Sequence, residues 1–244
     1  MKRVELIAVE GLPEVRPGDD LALLISEHAT LQQGDVLVIA QKVVSKAEGR
    51  LVELESVTAT EEANRIAPRL IAAPDPRMVQ VVLDESVRVL RSDRVLITET
   101  RHGFVSANSG VDHSNVGPGM LALLPVDPDA SAQRIRQGLV ERTGAQVGVI
   151  VSDTFGRPWR LGIVNVALGV AGVPALNDLR GTTDDAGQTL HATVLAVADE
   201  IAAGAGLVMG KTGRTPAVIV RGLVLDGSGS GRDLIRPAEE DLFR

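Results

Sequence analysis

Two aspartates on glycine-containing segments are the residues whose type and setting best suit chemistry. Asp112 is the only acid in "HGFVSANSGVDHSNVGPG" (102–119), and Asp153 follows the apolar run in "VIVSDTFGRPWR" (149–160). A carboxylate at the mouth of a buried strand is costly unless it is paired or binds a metal. With the adjacent hydroxyl of Thr154, it suits a divalent cation that faces a phosphate. The alternatives are a helix N-cap for Asp153 and a capped surface loop for 102–119.

Two lysines can supply positive charge to the same chemistry. Lys42 and Lys46 follow a strand-like run that ends near Ala40, and they are four residues apart. Lysines in this position can meet phosphate oxygens as point charges, although a solvated basic turn is the alternative. Phosphoryl transfer requires acids that bind divalent metal ions and positively charged side chains that neutralise phosphate.

The sequence "MGKT" (209–212) resembles the end of a P-loop but does not complete one. The pattern requires a glycine five residues before Gly210, and that position is Ala205. The preceding segment is an alanine-rich helix candidate rather than a strand. We therefore predict a turn with an exposed lysine, or a nucleotide-contacting turn of another kind.

Composition excludes several other classes of protein. The 244 residues include no cysteine and only four histidines, so thiolate chemistry is excluded and any metal site is expected to use oxygen ligands. A net charge of −7 and an aromatic content of three Phe and one Trp argue against nucleic-acid binding. No run approaches the ~18–20 apolar residues of a membrane span, and the first fifteen residues lack the long apolar stretch and the small-residue cleavage site of a signal peptide. We expect a cytoplasmic protein without a membrane partner.

The elements that must position these residues mix strands and helices. Runs rich in Val and Ile predict strands, and amphipathic periodicity predicts helices, the second opening with Thr58 and Glu61 at capping-box spacing. The predicted strands are 3–9, 35–40, 87–91, 94–100, 147–152 and 216–221, and the predicted helices are 19–31, 58–70, 76–85, 130–143 and 189–204. Because strands and helices do not alternate strictly, the pattern favours an α+β or mixed α/β fold over a doubly wound sheet.

One further segment is marked by its small residues. "NVALGVAGVPALNDLRG" (165–181) predicts tight packing of a strand or helix near the site, with direct binding as the alternative. No interior stretch changes composition enough to mark a boundary, so 1–244 is expected to be a single unit.

These motifs together resemble one protein family. "GLPEVRPGDDL", "GDVLVIAQKVVSKAEGR", "HGFVSANSGVDHSNV", "VIVSDTFGRPWR", "NVALGVAG" and "LVMGK" are similar to the coenzyme F420:L-glutamate ligase family, and the resemblance runs from about residue 3 to 244. It implies a distinctive γ-glutamyl ligase fold with mixed sheets, which is neither a P-loop nor a Rossmann fold. The unit would contain either one domain or two intertwined subdomains, and it would act as a homodimer.

The resemblance also implies a reaction and its cofactors. A γ-linked glutamate is joined to the coenzyme F420 precursor, with GTP converted to GDP and phosphate through an acyl phosphate. Mg²⁺ or Mn²⁺ would be required, and K⁺ is a further candidate. The alternatives are a metal-dependent GTP phosphohydrolase and a nucleotide-sensing binding protein.

The family's site residues carry over onto matching positions of this sequence. Asp112, Asp153 and Thr154 are implied as metal ligands, and Lys46, Asp112 and Asp153 as catalytic. The implied nucleotide-binding residues are Leu12, Pro13, Glu14, Val15, Gln41, Lys46, Asn115, Met209 and Gly210.

Two positions depart from the family's pattern. Ala186 stands where a tyrosine is expected, and Leu161 stands where a polar residue is expected. Neither belongs to the metal chemistry, but both bear on the acceptor or on the length of the glutamate tail. Because the chain ends at Arg244 without a nitroreductase-like extension, no FMN site is expected.

Overall fold

The computed structural model of the chain describes residues 3–71, 73–210 and 213–241. Lys211 and Thr212 of the "MGKT" sequence lie outside these residues. The described strands are β1 (Glu5–Ala8), β2 (Val36–Ala40), β3 (Leu51–Glu53), β4 (Ser86–Asp93), β5 (Val95–Thr100), β6 (Val105–Ala107), β7 (Met120–Ala122), β8 (Gly148–Arg157), β9 (Arg160–Ala171), β10 (Asn177–Asp178), β11 (Val194–Leu195) and β12 (Ala217–Arg221). The described helices are α1 (Leu21–His28), α2 (Gln41–Ala47), α3 (Glu61–Ile66), α4 (Pro76–Asp84), α5 (Pro128–Thr143) and α6 (Val197–Met209).

A five-stranded mixed sheet in the order β1-β12-β2-β8-β9 forms the centre of the fold. The β2–β8 pair is parallel, and the other three pairs are antiparallel. A smaller antiparallel sheet, β4-β5-β6, carries the chain into the 102–119 segment. The predicted mixed α and β class is confirmed.

Helices cover both faces of the large sheet. Val149 and Val151 pack with the helices α1 and α5 in one core cluster, whereas Ile150 packs with α6 in another. This alternation follows from the two-residue period of a strand. Because both faces are buried, β2 and the start of β8 are continuous apolar runs, and these runs are what the sequence shows.

Each predicted strand overlaps an observed strand, although β4 extends beyond 87–91 at both ends and β8 continues five residues past 152, and four of the five predicted helices coincide with observed ones. Helix α6 is the exception, because it begins at Val197 rather than at 189. The preceding Val194 and Leu195 pair instead with β10. The predicted capping box is also displaced: Thr60, rather than Thr58, caps α3 by accepting the N–H of Ala63, since Glu61 is already the first helical residue.

The small-residue segment 165–181 begins inside strand β9, as tight packing requires. A Cβ atom on Gly169 would lie 2.0 Å from the carbonyl oxygen of Pro128 at the start of α5. The Asp129 carboxylate then accepts a hydrogen bond from the Val170 N–H, which would otherwise lack a partner because β9 is the edge strand of the sheet. Within the residues that the structure describes, no helix is long and apolar enough to span a membrane.

An ion pair between Arg221 of β12 and the buried Asp35 is expected to stabilise the large sheet. The Asp35 side chain is 1% exposed, and Arg221 donates to both of its oxygens at 2.8 and 2.7 Å. Replacing Arg221 by alanine leaves a buried charge without its partner, so the free energy of unfolding should fall by about 3 kcal/mol in urea denaturation.

The matched control is Arg65→Ala, which removes an exposed pair with Glu62 at 3.8 Å. Its loss should be below about 0.5 kcal/mol. Equal losses in the two variants would contradict the importance of the Asp35 pair.

Candidate functional site

The junction between β2 and α2 organises the candidate site. Strand β2 ends at Ala40, which pairs in parallel with Ser152 of β8, and α2 begins at Gln41. Asp153 therefore lies one residue beyond the last parallel pair, level with the start of α2. The carboxyl ends of parallel strands meet at this edge, which is where open α/β sheets commonly place ligands.

Both lysines of the predicted basic turn lie on helix α2. They are one helical turn apart, and their side chains are only 17% and 12% exposed, for Lys42 and Lys46 respectively. Each pairs with an acid from a distant segment, Lys42 with Asp112 and Lys46 with Glu14. The solvated-turn alternative is therefore wrong.

Lys42 ties the 102–119 segment to α2. Its ammonium group donates to Asp112 Oδ2 at 2.7 Å, to the Ser114 carbonyl oxygen at 2.7 Å and to Ser114 Oγ at 2.6 Å. These contacts use all three of its N–H donors. The Ser114 N–H also donates to Asp112 Oδ1 at 2.7 Å. The segment is thus fixed by charge-assisted hydrogen bonds rather than being a slack loop.

The charge state of Asp112 suits a metal ligand. Burial raises its pKa, but the hydrogen bonds from Lys42 and from the Ser114 N–H, with the charge of Lys42, outweigh burial and hold the pKa below 3.8. The side chain is therefore a carboxylate at neutral pH, the form that ligates a metal. A carboxylate has about four lone-pair directions. Lys42 and two groups of Ser114 use three of them, which leaves one for a cation.

Asp153 lies within a strand, where it is half-buried and pairs with Val166 of β9. The helix N-cap alternative is therefore wrong.

The strand that carries Asp153 meets the segment that carries Asp112 through two phenyl rings. Phe104 and Phe155 contact edge to face, with centroids 6.4 Å apart and ring planes at 83°. Asp112 is bonded to α2 through Lys42, and Asp153 lies one residue beyond the β2–β8 pair that leads into α2.

Thr154 connects β8 to helix α6. Its hydroxyl donates to Asn165 Oδ1 at 3.2 Å, and Asn165 Nδ2 contacts Met209 Sδ at 3.4 Å. Because successive strand residues face opposite sides, this hydroxyl lies on the α6 side and the Asp153 side chain on the other. The Thr154 hydroxyl is therefore not on the side of the strand where the Asp153 carboxylate would hold a cation, so the carbonyl oxygen is the only atom of Thr154 left to ligate that cation.

The residues implied for the nucleotide fall into two groups around these elements. Glu14 and Lys46 hold the 12–15 segment against α2, where Gln41 is buried and accepts a hydrogen bond from Ser45 Oγ at 2.9 Å. Met209 and Gly210 lie at the end of α6, beside Asn165. The first group lies at the helix that follows β2, and the second is connected to β8 through Asn165 and Thr154, so the parallel β2–β8 pair lies between the two groups.

Asn115 has left-handed backbone angles and is exposed, three residues after Asp112. Ser114, which bonds to Lys42 and Asp112, and Asn165, which bonds to Thr154, were not among the residues implied by the resemblance. The signal for Asn165 is a lone amide within the apolar strand sequence "IVNVALGV".

The oxygen donors that could hold a divalent cation are few. No group of three or more His, Cys, Asp or Glu side chains is arranged for a metal within residues 3–71, 73–210 and 213–241. A divalent cation at this site would therefore be ligated by the two carboxylates, and carbonyl, phosphate or water oxygens would complete its coordination. Mg²⁺ is commonly held in this way at nucleotides.

Comparison with known proteins identifies the family. The profile of the family described as F420-0:Gamma-glutamyl ligase matches residues 11–222. A protein of Archaeoglobus fulgidus named coenzyme F420:L-glutamate ligase is 47% identical over 243 residues, which cover 99% of this chain and 97% of the relative.

Two further relatives carry the same name. The Methanothermobacter thermautotrophicus protein is 46% identical over 251 residues, which cover 99% of each chain. The Haloarcula marismortui protein is 47% identical over 246 residues, which cover 99% of this chain and 96% of the relative. With a family profile that matches most of its length and relatives of this similarity, the chain belongs to the F420-0:gamma-glutamyl ligase family.

Proposed function

We propose that this chain is a GTP- and divalent-metal-dependent ligase that adds γ-linked L-glutamate to the coenzyme F420 precursor in the cytoplasm. Family membership and the names of its relatives support the ligase activity. The observation that carries the chemistry is the β2–α2 junction, where the ionised Asp112, the lysines of α2 and the strand carrying Asp153 lie together. This combination suits a triphosphate and an attacking carboxylate.

The reaction divides into two balanced steps. A carboxylate oxygen of the precursor attacks the γ-phosphorus of GTP, and GDP leaves, which gives an acyl phosphate. The amine of glutamate then attacks the acyl carbon, loses a proton to solvent and expels inorganic phosphate. The product contains one new amide bond, and one GTP has become GDP and phosphate.

In these steps the protein would neutralise the charge of the phosphates and hold the reacting groups in position. Asp112, Asp153 and Thr154 would hold Mg²⁺ or Mn²⁺, with K⁺ as a further candidate, and the bound cation would neutralise the phosphates. Lys46 and Lys42 add fixed positive charge on one face of α2, and their hydrogen bonds hold them in place before substrate arrives. Groups fixed in advance need little reorganisation as charge develops.

A homodimer is part of the proposal. The hairpin formed by β8 and β9 carries exposed apolar residues at its far end, with Leu161 97% exposed and Ile163 also exposed. Exposed apolar residues grouped in this way are typical of a protein contact. A second copy of the chain is the partner that the proposal assigns to this hairpin.

Mass spectrometry of the F420 precursor tests the proposed function. Incubation with GTP, glutamate and Mn²⁺ should increase the mass of the precursor by one or more glutamyl groups, with GDP formed only when all components are present. GTP hydrolysis that is indifferent to glutamate and precursor would indicate a phosphohydrolase. GTP binding without any product would indicate a nucleotide sensor.

A further inference from the structure

A pocket between the two segments that carry Asp112 and Asp153 takes no part in the proposed chemistry. We call it the Phe104–Phe155 pocket; it has a volume of about 250 Å³ and lies between the 102–119 segment, the β8–β9 hairpin and the segment 234–236. Its apolar walls include Phe104, Phe155, Val166 and Ile235. The two segments that carry the candidate metal ligands therefore each contribute a phenyl ring to one cavity.

The register of the hairpin places this pocket on the Asp153 side. Asp153 and Val166 are directly paired, so their side chains face the same side of the hairpin, and Phe155 faces that side two residues later. Thr154, Asn165 and Met209 occupy the opposite side. The side chains of Phe155 and Val166 in the pocket therefore face away from Met209 at the end of α6.

Two charged residues give the pocket a polar edge. Asp199 Oδ1 accepts the Ala167 N–H at 2.8 Å, and its other oxygen has no hydrogen-bond partner among the described residues. Burial raises the pKa of Asp199, and the hydrogen bond from Ala167 offsets this only in part. Arg236 is exposed at the rim and forms no ion pair within the part of the chain that the structure describes.

We infer that the Phe104–Phe155 pocket binds a flat aromatic portion of the acceptor, with Asp199 at a polar edge of the pocket and Arg236 at its rim, where it suits an anionic group. The inference rests on the proposed function, because it takes the acceptor to be the F420 precursor. Apolar aromatic walls with a few convergent polar groups are typical of small-molecule sites, and aromatic walls favour a flat ring. The volume of about 250 Å³ suits a ring portion of the acceptor.

Filling the pocket tests the inference. Ile235→Trp should raise the KM for the precursor by about 10- to 100-fold, with the KM for GTP unchanged, because the added indole occupies the space of the acceptor ring. Val126→Trp is the matched control, since Val126 is exposed and does not line the pocket. Thermal melting of both variants shows whether the substitution has disturbed the fold.

A second variant tests the rim without altering the packing. Arg236→Gln should raise the KM for the precursor about fivefold at low salt and less at high salt. Arg232→Gln is the control, because Arg232 lies on the same exposed segment but does not line the pocket. An unchanged precursor KM in both Ile235→Trp and Arg236→Gln would overturn the inference while leaving the ligase activity intact.

Calorimetric titration with the precursor alone separates this inference from the proposed function. If the wild-type protein binds the precursor, and Ile235→Trp does not, the pocket assignment holds even when no glutamylated product is formed. If the wild-type protein forms product and Ile235→Trp changes only the dimer dissociation constant, the pocket holds a side chain of the second copy, and the inference is wrong. A wild-type protein that does not bind the precursor also overturns it.

Discussion

Replacing Asp153 by asparagine is expected to reduce metal-dependent GDP release by roughly 10²- to 10³-fold. The amide removes one negative charge at the β2–α2 junction and halves the number of oxygens that can meet a cation. Asp153 lies on a strand held by pairing on both sides, so the fold should survive the substitution. The measurement is the initial rate of GDP formation with GTP, precursor, glutamate and Mn²⁺ in excess.

Asp226→Asn is the matched control for this variant, because Asp226 is exposed on a segment after β12. Its rate should equal that of the wild-type protein. Full activity in Asp153→Asn, with an unchanged melting profile, would remove Asp153 from the metal site.

Replacing Asp112 by asparagine should reduce the same activity by about 10²-fold and also alter the pH dependence of stability. Lys42 and Ser114 hold the pKa of Asp112 below 3.8. A carboxyl whose pKa is depressed on folding contributes stability above its unfolded pKa, and this contribution is lost as pH falls through the folded pKa. The wild-type protein should therefore be more stable than the variant at neutral pH, and the difference should vanish in acid.

The expected stability difference is small, below about 1 kcal/mol, because the Lys42–Asp112 pair is partly exposed. Urea denaturation at neutral pH and at a series of acidic pH values falling from 3.8 measures it. Asp178→Asn is the control for activity, since it breaks an exposed pair with Arg180 and should leave GDP release unchanged. If Asp112→Asn retained full activity, Asp112 would be a structural partner of Lys42 alone.

The strands could be predicted because burial on both faces demands continuous apolar residues. Runs such as "DVLVIA" and "VGVIVS" mark strands β2 and β8 without further information. Helix α2 could not be predicted in the same way, because seven residues of "QKVVSKA" are too short for a clear helical period. Its existence depends on packing against β8, which is a long-range property.

The identities of the candidate residues were predictable, whereas their connections were not. Isolated aspartates at apolar runs and on glycine-containing segments mark Asp112 and Asp153 from sequence. The contact between Lys42 and Asp112 spans 70 residues, and the contact between Asn165 and Met209 spans 44. No local pattern encodes such pairs, since sheet topology brings them together.

Anomalous diffraction from crystals grown with Mn²⁺ and a non-hydrolysable GTP analogue would locate the cation relative to Asp112 and Asp153. We expect manganese bound to phosphate oxygens and ligated by both Asp112 and Asp153, at about 2.0–2.3 Å from their carboxylate oxygens. Manganese bound to the nucleotide but contacting neither aspartate, or only one of them, would contradict this expectation.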